Sequence, residues 1–390
     1  MTHPIVEALQ TQEARFTALR RQFHQQPEIG FEEHRTSEQV VALLKEWGYD
    51  VDYGLAGTGV VATLKVGDGN KRLGLRADMD ALPMQENSGK PWASQTDGRF
   101  HGCGHDGHTT TLLYAAEYLA RTRQFNGTLH LIFQPAEELL YGGRVMLEDG
   151  LFDKFPCDHI FGLHNMPGQK LGRIGLRDGA MMASSDTLHI QVQGVGGHGA
   201  VPEHTVDATV VACHITLALQ TIVSRNVSPF DPAVVTVGSI QAGHAPNIIN
   251  DHVLMKLTVR TLNEDVRQTV LQRIHDIAIA QAESFNATAT LTHVNGSPVL
   301  KNDPQANAMV RQVATSLFGE DAVGTVSPFM GSEDFAFMLE KNPQGAYFTI
   351  GAGDEPDRCM VHNPGYDFND SILLTGAALW CGLTEYYLRA

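Results

Sequence analysis

The sequence predicts an α/β layer fold with a partly parallel sheet, into which a second α+β domain is inserted. Three observations carry this expectation. Short β-rich runs alternate with helical segments up to about residue 183. The texture then changes to strands with one polar face and two helices, in the β-α-β-β-α-β order of a ferredoxin-like unit. Afterwards the α/β texture returns. The expected boundaries are 1–183 and 296–390 for the discontinuous first domain and 184–295 for the insert.

The first fifty residues read as two amphipathic helices, about Val6 to Gln25 and Glu32 to Trp47, interrupted at Pro27 and stopped at Gly48. "TGVVATLKV" and "RLGLRADMDAL" read as strands, followed by a helix from about Gly107 to Arg121, the strand "GTLHLIFQ" and a helix starting near Glu137. In the insert, Leu188, Ile190 and Val192 alternate with His189, Gln191 and Gln193. Val253, Met255, Leu257 and Val259 alternate with Lys256, Thr258 and Arg260 in the same way. Helices are expected at about Val206 to Val223 and Glu264 to Phe285, with a strand at "PAVVTVGSIQA" and the end of the unit near Val294. The chain then runs through "AYFTIGAG" to a closing helix at about Ser371 to Leu388.

Composition narrows the function. Against 28 Lys and Arg stand 44 Asp and Glu, a formal charge of −16, so the overall field repels polyanions. No basic cluster appears, and nucleic acid is not an expected partner. An acidic small substrate would have to be captured by a local positive feature. The five cysteines are scattered, odd in number and expected to be reduced. "MTHPIVEALQTQEARF" has no basic n-region or apolar h-region, and no later apolar stretch approaches the roughly 18 residues of a membrane span. The cytoplasm is the expected compartment, with no membrane partner.

Four segments put soft or charged groups where strands end: "HGCGHDGH", "FQPAEELLYGG", "FGLHNMP" and "CMVHNPGYDF". Strand-end loops are where α/β sheets build sites. Cys103 and His105 are two apart across a glycine and can face one point, and thiolate with imidazole is a good borderline-soft ligand pair. Glu137 and Glu138 sit side by side, expected near the positive end of a helix dipole. His164 follows the strand "DHIFGL", and His362 lies between a loop and "NPGYD". Each of these alone also reads as an ordinary loop residue, and His101 and His108 keep that reading. Together they make up the four to six N, O and S donors, with an adjacent acid-base residue, that a two-metal hydrolytic site needs.

Along with "FHQQPEIGFEEHRTS", "GLRADMDALPMQE", "GGHGAVPEHTVDA" and "APNIIND", these segments resemble the co-catalytic metallopeptidase-like amidohydrolases, over nearly the whole chain. That group includes hippurate hydrolase, N-acyl-amino-acid amidohydrolases and auxin-conjugate hydrolases. The resemblance implies a zinc-exopeptidase-like catalytic domain with an inserted dimerisation domain. It makes Cys103, His105, Glu138, His164 and His362 the ligands of two divalent metals, manganese or zinc with cobalt or nickel also compatible, and Glu137 the general base. Cys103 would take a bridging place.

Related branches carry a histidine ligand where this chain reads Arg76-Ala77-Asp78, so Asp78 is expected to orient a ligand imidazole instead. Asp106 is expected to support the loop. His198 would reach the partner's active site in a homodimer and donate to the oxyanion. Asn247 would position substrate, and Arg260 would meet its carboxylate. The expected reaction is hydrolysis of N-acetyl or N-benzoyl amino acids. Where Pro-His and Asp-Pro are common in the family, this chain has Pro202-Glu203 and Asp207-Ala208, which bears on substrate preference. Three other readings stay open: hydrolysis of another amide or a dipeptide, Cys103 as a thiolate nucleophile with His105 as its base, and a metal-dependent binding protein without turnover.

Overall fold

The computed structural model describes residues 3–356 and 358–389. The chain divides into two compact units. The first comprises Met1–Gly179, Lys301–Ser327 and Asp334–Ala390, and the second Ala180–Leu300 with Pro328–Glu333. The division thus falls a few residues outside 184 and 295, and a short late segment joins the second unit.

The first unit is built on an eight-stranded mixed sheet. Four central strands run parallel in the order Gly127–Gln134, Arg72–Asp78, His159–Pro167 and Gly345–Gly353. Almost every residue of these strands is buried, which is how parallel strands covered on both faces read. Gly59–Val66 and Asp50–Leu55 extend one side antiparallel. On the other side Ile174–Leu176 pairs antiparallel with Gly345–Gly353 and parallel with Val323–Thr325. The helices His105–Thr122, Glu13–Gln25, Pro304–Phe318 and Leu373–Tyr387 pack together over the main apolar core, which holds Phe16, Leu112, Tyr114, Phe348 and Trp380.

Three local expectations change. The first helix is two, Pro4–Gln10 and Glu13–Gln25, separated by a turn at Thr11 and Gln12. Asp50–Leu55 is a strand that the sequence did not announce, because its pattern is polar and mostly exposed. No helix starts at Glu137: residues 135–141 form a turn in which Ala136 and Leu140 have φ of 53° and 51°, and the helix begins at Gly142. A side chain at Gly142 would collide with the carbonyl oxygen of Pro135, so the chain can fold back only there.

The second unit is a four-stranded antiparallel sheet in the order Ala233–Ala242, His252–Thr261, Ser184–Gln193, Thr288–Ser297. Two helices, Ala208–Arg225 and Glu264–Ser284, pack on the face that carries Ile190, Val192, Val253, Met255 and Val259. This is the ferredoxin-like order. Ala208–Arg225 has the length and composition of a membrane span, contrary to the sequence reading. Its Ala208, Val211, Ala212, Ile215, Leu219 and Ile222 recur at helical spacing and are buried on the sheet, which accounts for one apolar face.

Candidate metal centre

The chemistry gathers at the C-terminal ends of the central parallel strands. Arg72–Asp78 delivers Asp78 and, two residues on, Asp80. Gly127–Gln134 leads into the Glu137 turn, and His159–Pro167 carries His164. Cys103 and His105 stand at the start of the buried helix His105–Thr122. The residue between them, Gly104, has φ 97°, and a Cβ there would lie 2.6 Å from Asn165 Oδ1, so only glycine allows the loop to turn this tightly.

Two triads of ligand atoms form, each within 4.8 Å: Cys103 with His105 and His164, and Cys103 with Glu138 and His362. Cys103 belongs to both. Its Sγ lies 3.3 Å from His164 Nε2, and His362 Nε2 lies 3.4 Å from Glu138 Oε1. Glu137 joins a third group with His105 and Glu138, its Oε2 3.9 Å from His105 Nε2. All five ligand candidates and Glu137 therefore meet in one place. His362 is held there in the left-handed region, φ 64°, by donating its N–H to Gly102 O at 2.8 Å.

A buried carboxylate organises the cluster. Asp80 Oδ1 sits 3.2 Å from His105 Nδ1 and accepts from the Glu137 N–H at 3.0 Å, while Oδ2 accepts from the Glu138 N–H at 2.9 Å. The two glutamates are thus placed by backbone contacts to Asp80 and owe nothing to a helix dipole. Asp78 lies 2.6 Å from His108 Nδ1 and 3.9 Å from His105 Nε2, so its close imidazole is His108. His108 Nε2 faces the Asn165 side chain at 2.6 Å, and Asn165 also donates to the Tyr366 hydroxyl at 2.6 Å. Behind Asp78, the buried Arg76 guanidinium donates to Asp78 at 2.7 Å, to Gln134 at 2.8 Å and to Asp334 at 3.2 Å.

The electrostatics suit cations. Burial, and after it the charge of Glu138, pushes the Cys103 thiol up to about 12, so a thiolate there needs a positive partner. The same shift argues against Cys103 as a free nucleophile, which requires a depressed thiol. Burial and the neighbouring His108 push His164 down to about 3, leaving a neutral imidazole, the form that ligates. Burial opposes charge on Glu138, but His362 and His105 outweigh it and hold the carboxyl below its usual range. Two buried atoms among the donors, His105 Nε2 and Glu138 Oε1, have no hydrogen-bond partner. Imidazole, carboxylate and thiol donors, converging with two of their atoms unpaired, fit divalent metals well.

Of the remaining sequence candidates, His198 and Asn247 come together in the second unit. Both are exposed and line one cavity of about 1050 Å³, where Gly199 N–H donates to Asn247 O at 2.9 Å and His198 pairs with Ile248. Arg260 is half-buried and donates to the Ser185 hydroxyl. Sequence reasoning missed Asp80, His108 and Asn165. The only available signal was that Asp80 shares the "RADMDAL" segment with Asp78.

A profile of Peptidase family M20/M25/M40 matches residues 74–386. The chain belongs to this family. Hippurate hydrolase of Campylobacter jejuni is 45% identical over 377 residues, which cover 96% of this chain and 97% of that protein. N-acetyl-L-cysteine deacetylase of Bacillus subtilis is 36% identical, covering 94% of this chain and 86% of the relative. Among solved structures, a dinuclear metal-binding peptidase of the M20 family from Bacillus subtilis superposes with a TM-score of 0.84 at 31% identity, covering 97% of this chain and 99% of the other.

In this M20-family chain the Cys103–His105 loop is braced from the helix Glu13–Gln25. Asp106, one residue past His105, is fully buried and accepts from His24 Nδ1 at 2.7 Å and from Arg20 at 3.3 Å. Arg20 also pairs with Asp367 and Asp370. Burial disfavours the His24 cation, but Asp106, and then Glu86, outweigh it and raise His24 to about 9. A folded-state value above the unfolded 6.5 means that the stabilisation is complete below about pH 6.5 and lost as pH rises through about 9. Urea unfolding of wild type and His24→Gln should therefore differ most at pH 6 and converge by about pH 10; a gap that is constant across that range would contradict the pairing.

Proposed function

We propose that the protein is a metal-dependent amidohydrolase that cleaves N-acyl amino acids, N-benzoyl (hippurate-like) or N-acetyl, to a carboxylic acid and a free amino acid. The observation that carries this is the Glu137–Glu138 pair, fixed beside a Cys/His cluster in a chain 45% identical to hippurate hydrolase over 96% of its length. Cys103, His105, Glu138, His164 and His362 would hold two divalent ions, with Cys103 in the shared position; manganese and zinc suit these donors, and cobalt or nickel is compatible. When bound, such ions polarise the substrate carbonyl and lower the pKa of water.

The chain's own groups do the rest. Glu137, 6% exposed and next to the ligand Glu138, takes the proton of the attacking water and delivers it to the departing amine. His198 donates to the oxyanion from the partner of a homodimer, Asn247 positions the substrate and Arg260 receives its carboxylate. Support for the homodimer comes from the outward face of Ala208–Arg225, where Val210, Leu217 and Val223 are exposed, Leu217 by 70%. The proposed compartment is the cytoplasm, in keeping with five free cysteines. Glu203 and Ala208, which stand where the family often has histidine and proline, bear on which acyl amino acid is preferred.

Glu137→Ala should lower turnover of an N-benzoyl or N-acetyl amino acid by about 10²–10⁴-fold with bound metal unchanged. Near wild-type turnover would overturn the assignment, and tight ligand binding by wild type without cleavage of any acyl amino acid would favour a binding protein. Leu217→Glu should convert a sedimenting dimer to monomer and remove activity with it; a fully active wild-type monomer would contradict the role of His198.

A further inference from the structure

The motif "PEIGFEEHRTS" near the N-terminus contributes no ligand and no proton carrier to the reaction as proposed, yet it contains two buried carboxylates. Glu28 behaves as a local cap: its oxygens accept from the N–H groups of Arg35 and Thr36 and from the Thr36 hydroxyl, at the start of the helix His34–Glu46. Glu33 stands at the N-cap position of that helix and makes no side-chain cap bond. Its side chain turns inward and is fully buried. Oε1 accepts from the Ala136 N–H at 2.8 Å, and Oε2 accepts from the Thr58 hydroxyl at 2.7 Å.

Ala136 immediately precedes Glu137. With Glu33 holding the Ala136 amide and Asp80 holding the next two, three consecutive N–H groups of the turn are fixed by two carboxylates from distant parts of the chain. The same motif touches the turn and the Asp80 segment in two more places. Gly30 lies so close to Ala136 that a Cβ there would come within 3.0 Å of its Cα, and the Ala81 N–H donates to Glu28 O at 2.8 Å. The turn needs such restraint, because Ala136 and Leu140 both occupy the left-handed region that non-glycine residues disfavour.

We infer that Glu33 is a positioning residue that, through the Ala136 amide, sets where the Glu137 carboxylate stands against the ligand cluster. Burial, and after it the charge of Asp80, raises Glu33 to about 7, so a neutral amide of the same shape suits the site. In Glu33→Gln the amide oxygen still accepts from Ala136 and the amide nitrogen can donate to Thr58. Glu33→Ala removes both contacts and frees a strained turn. A displacement of about 1 Å at a reacting group can cost on the order of 100-fold in rate.

This inference rests on the amidohydrolase reading for its kinetic arm alone. The test compares wild type, Glu33→Ala, Glu33→Gln and Thr58→Val in the full-length chain, by hydrogen exchange over residues 134–142 and by hippurate hydrolysis. Faster exchange in that segment is expected for Glu33→Ala, with kcat down about 10–100-fold, KM changed less than about threefold and manganese bound per chain unchanged. Glu33→Gln should restore most of both properties. If Glu33→Ala fails to fold, Thr58→Val, which removes only the far partner of the carboxylate, should show the same two changes at smaller size. Wild-type exchange and kcat in Glu33→Ala, or in Thr58→Val where the former is not folded, would overturn the inference. If wild type cleaves no N-acyl amino acid, that failure belongs to the proposed reaction, and the exchange comparison still decides the role of Glu33.

Discussion

The site depends on burying one carboxylate where two chain segments need it. Asp80 is 1% exposed, and burial raises its pKa, so a charge there is costly unless every lone pair is used. It is used three times, by the His105 imidazole and by two successive backbone amides. One group therefore fixes the orientation of the His105 imidazole and the relative placement of the two glutamates. Because backbone amides are rigid donors, the pair Glu137–Glu138 is set by main-chain geometry, and their side chains are left to act toward the cluster.

The parallel sheet supplies the distance scale. Strands Arg72–Asp78, Gly127–Gln134 and His159–Pro167 are hydrogen-bonded neighbours, so their C-terminal ends bring Asp80, the glutamate turn and His164 together. The helix His105–Thr122 brings Cys103 and His105 to the same edge, and its first residues are buried rather than solvated. Behind these lie buried polar layers: Arg76 with Asp78, Gln134 and Asp334, and Arg20 with Asp106, Asp367 and Asp370. Such layers restrain the residues of the cluster, at the expense of desolvating several charges.

Much of this was legible in the sequence. Hydrophobic periodicity located the second unit and its strand order class, since one-sided strands alternate cleanly. The convergence of the proposed ligands on one cluster was suggested by Cys103-Gly104-His105 and Glu137-Glu138, although the first pair stands at a helix start and not at a strand end. What stayed hidden was relational. Asp80 differs from Asp78 by two residues in an acidic, strand-like stretch, and only the fold shows that Asp80 turns to His105 while Asp78 turns to His108. The helix expected at Glu137 failed because an apolar strand followed by acids reads like a first turn, whereas Gly142 delays the helix by five residues. Glu33 carried no signal of its own in the sequence, and its partner Ala136 lies 103 residues away.

The most direct test is a titration of the apo protein with manganese, comparing wild type and Asp80→Ala by calorimetry. Wild type should bind two ions per chain, and the variant should bind with an affinity about 10–100-fold weaker, the usual effect of losing the partner that orients a ligand. Wild type that binds no manganese, zinc, cobalt or nickel, or a variant that binds as tightly as wild type, would contradict that expectation.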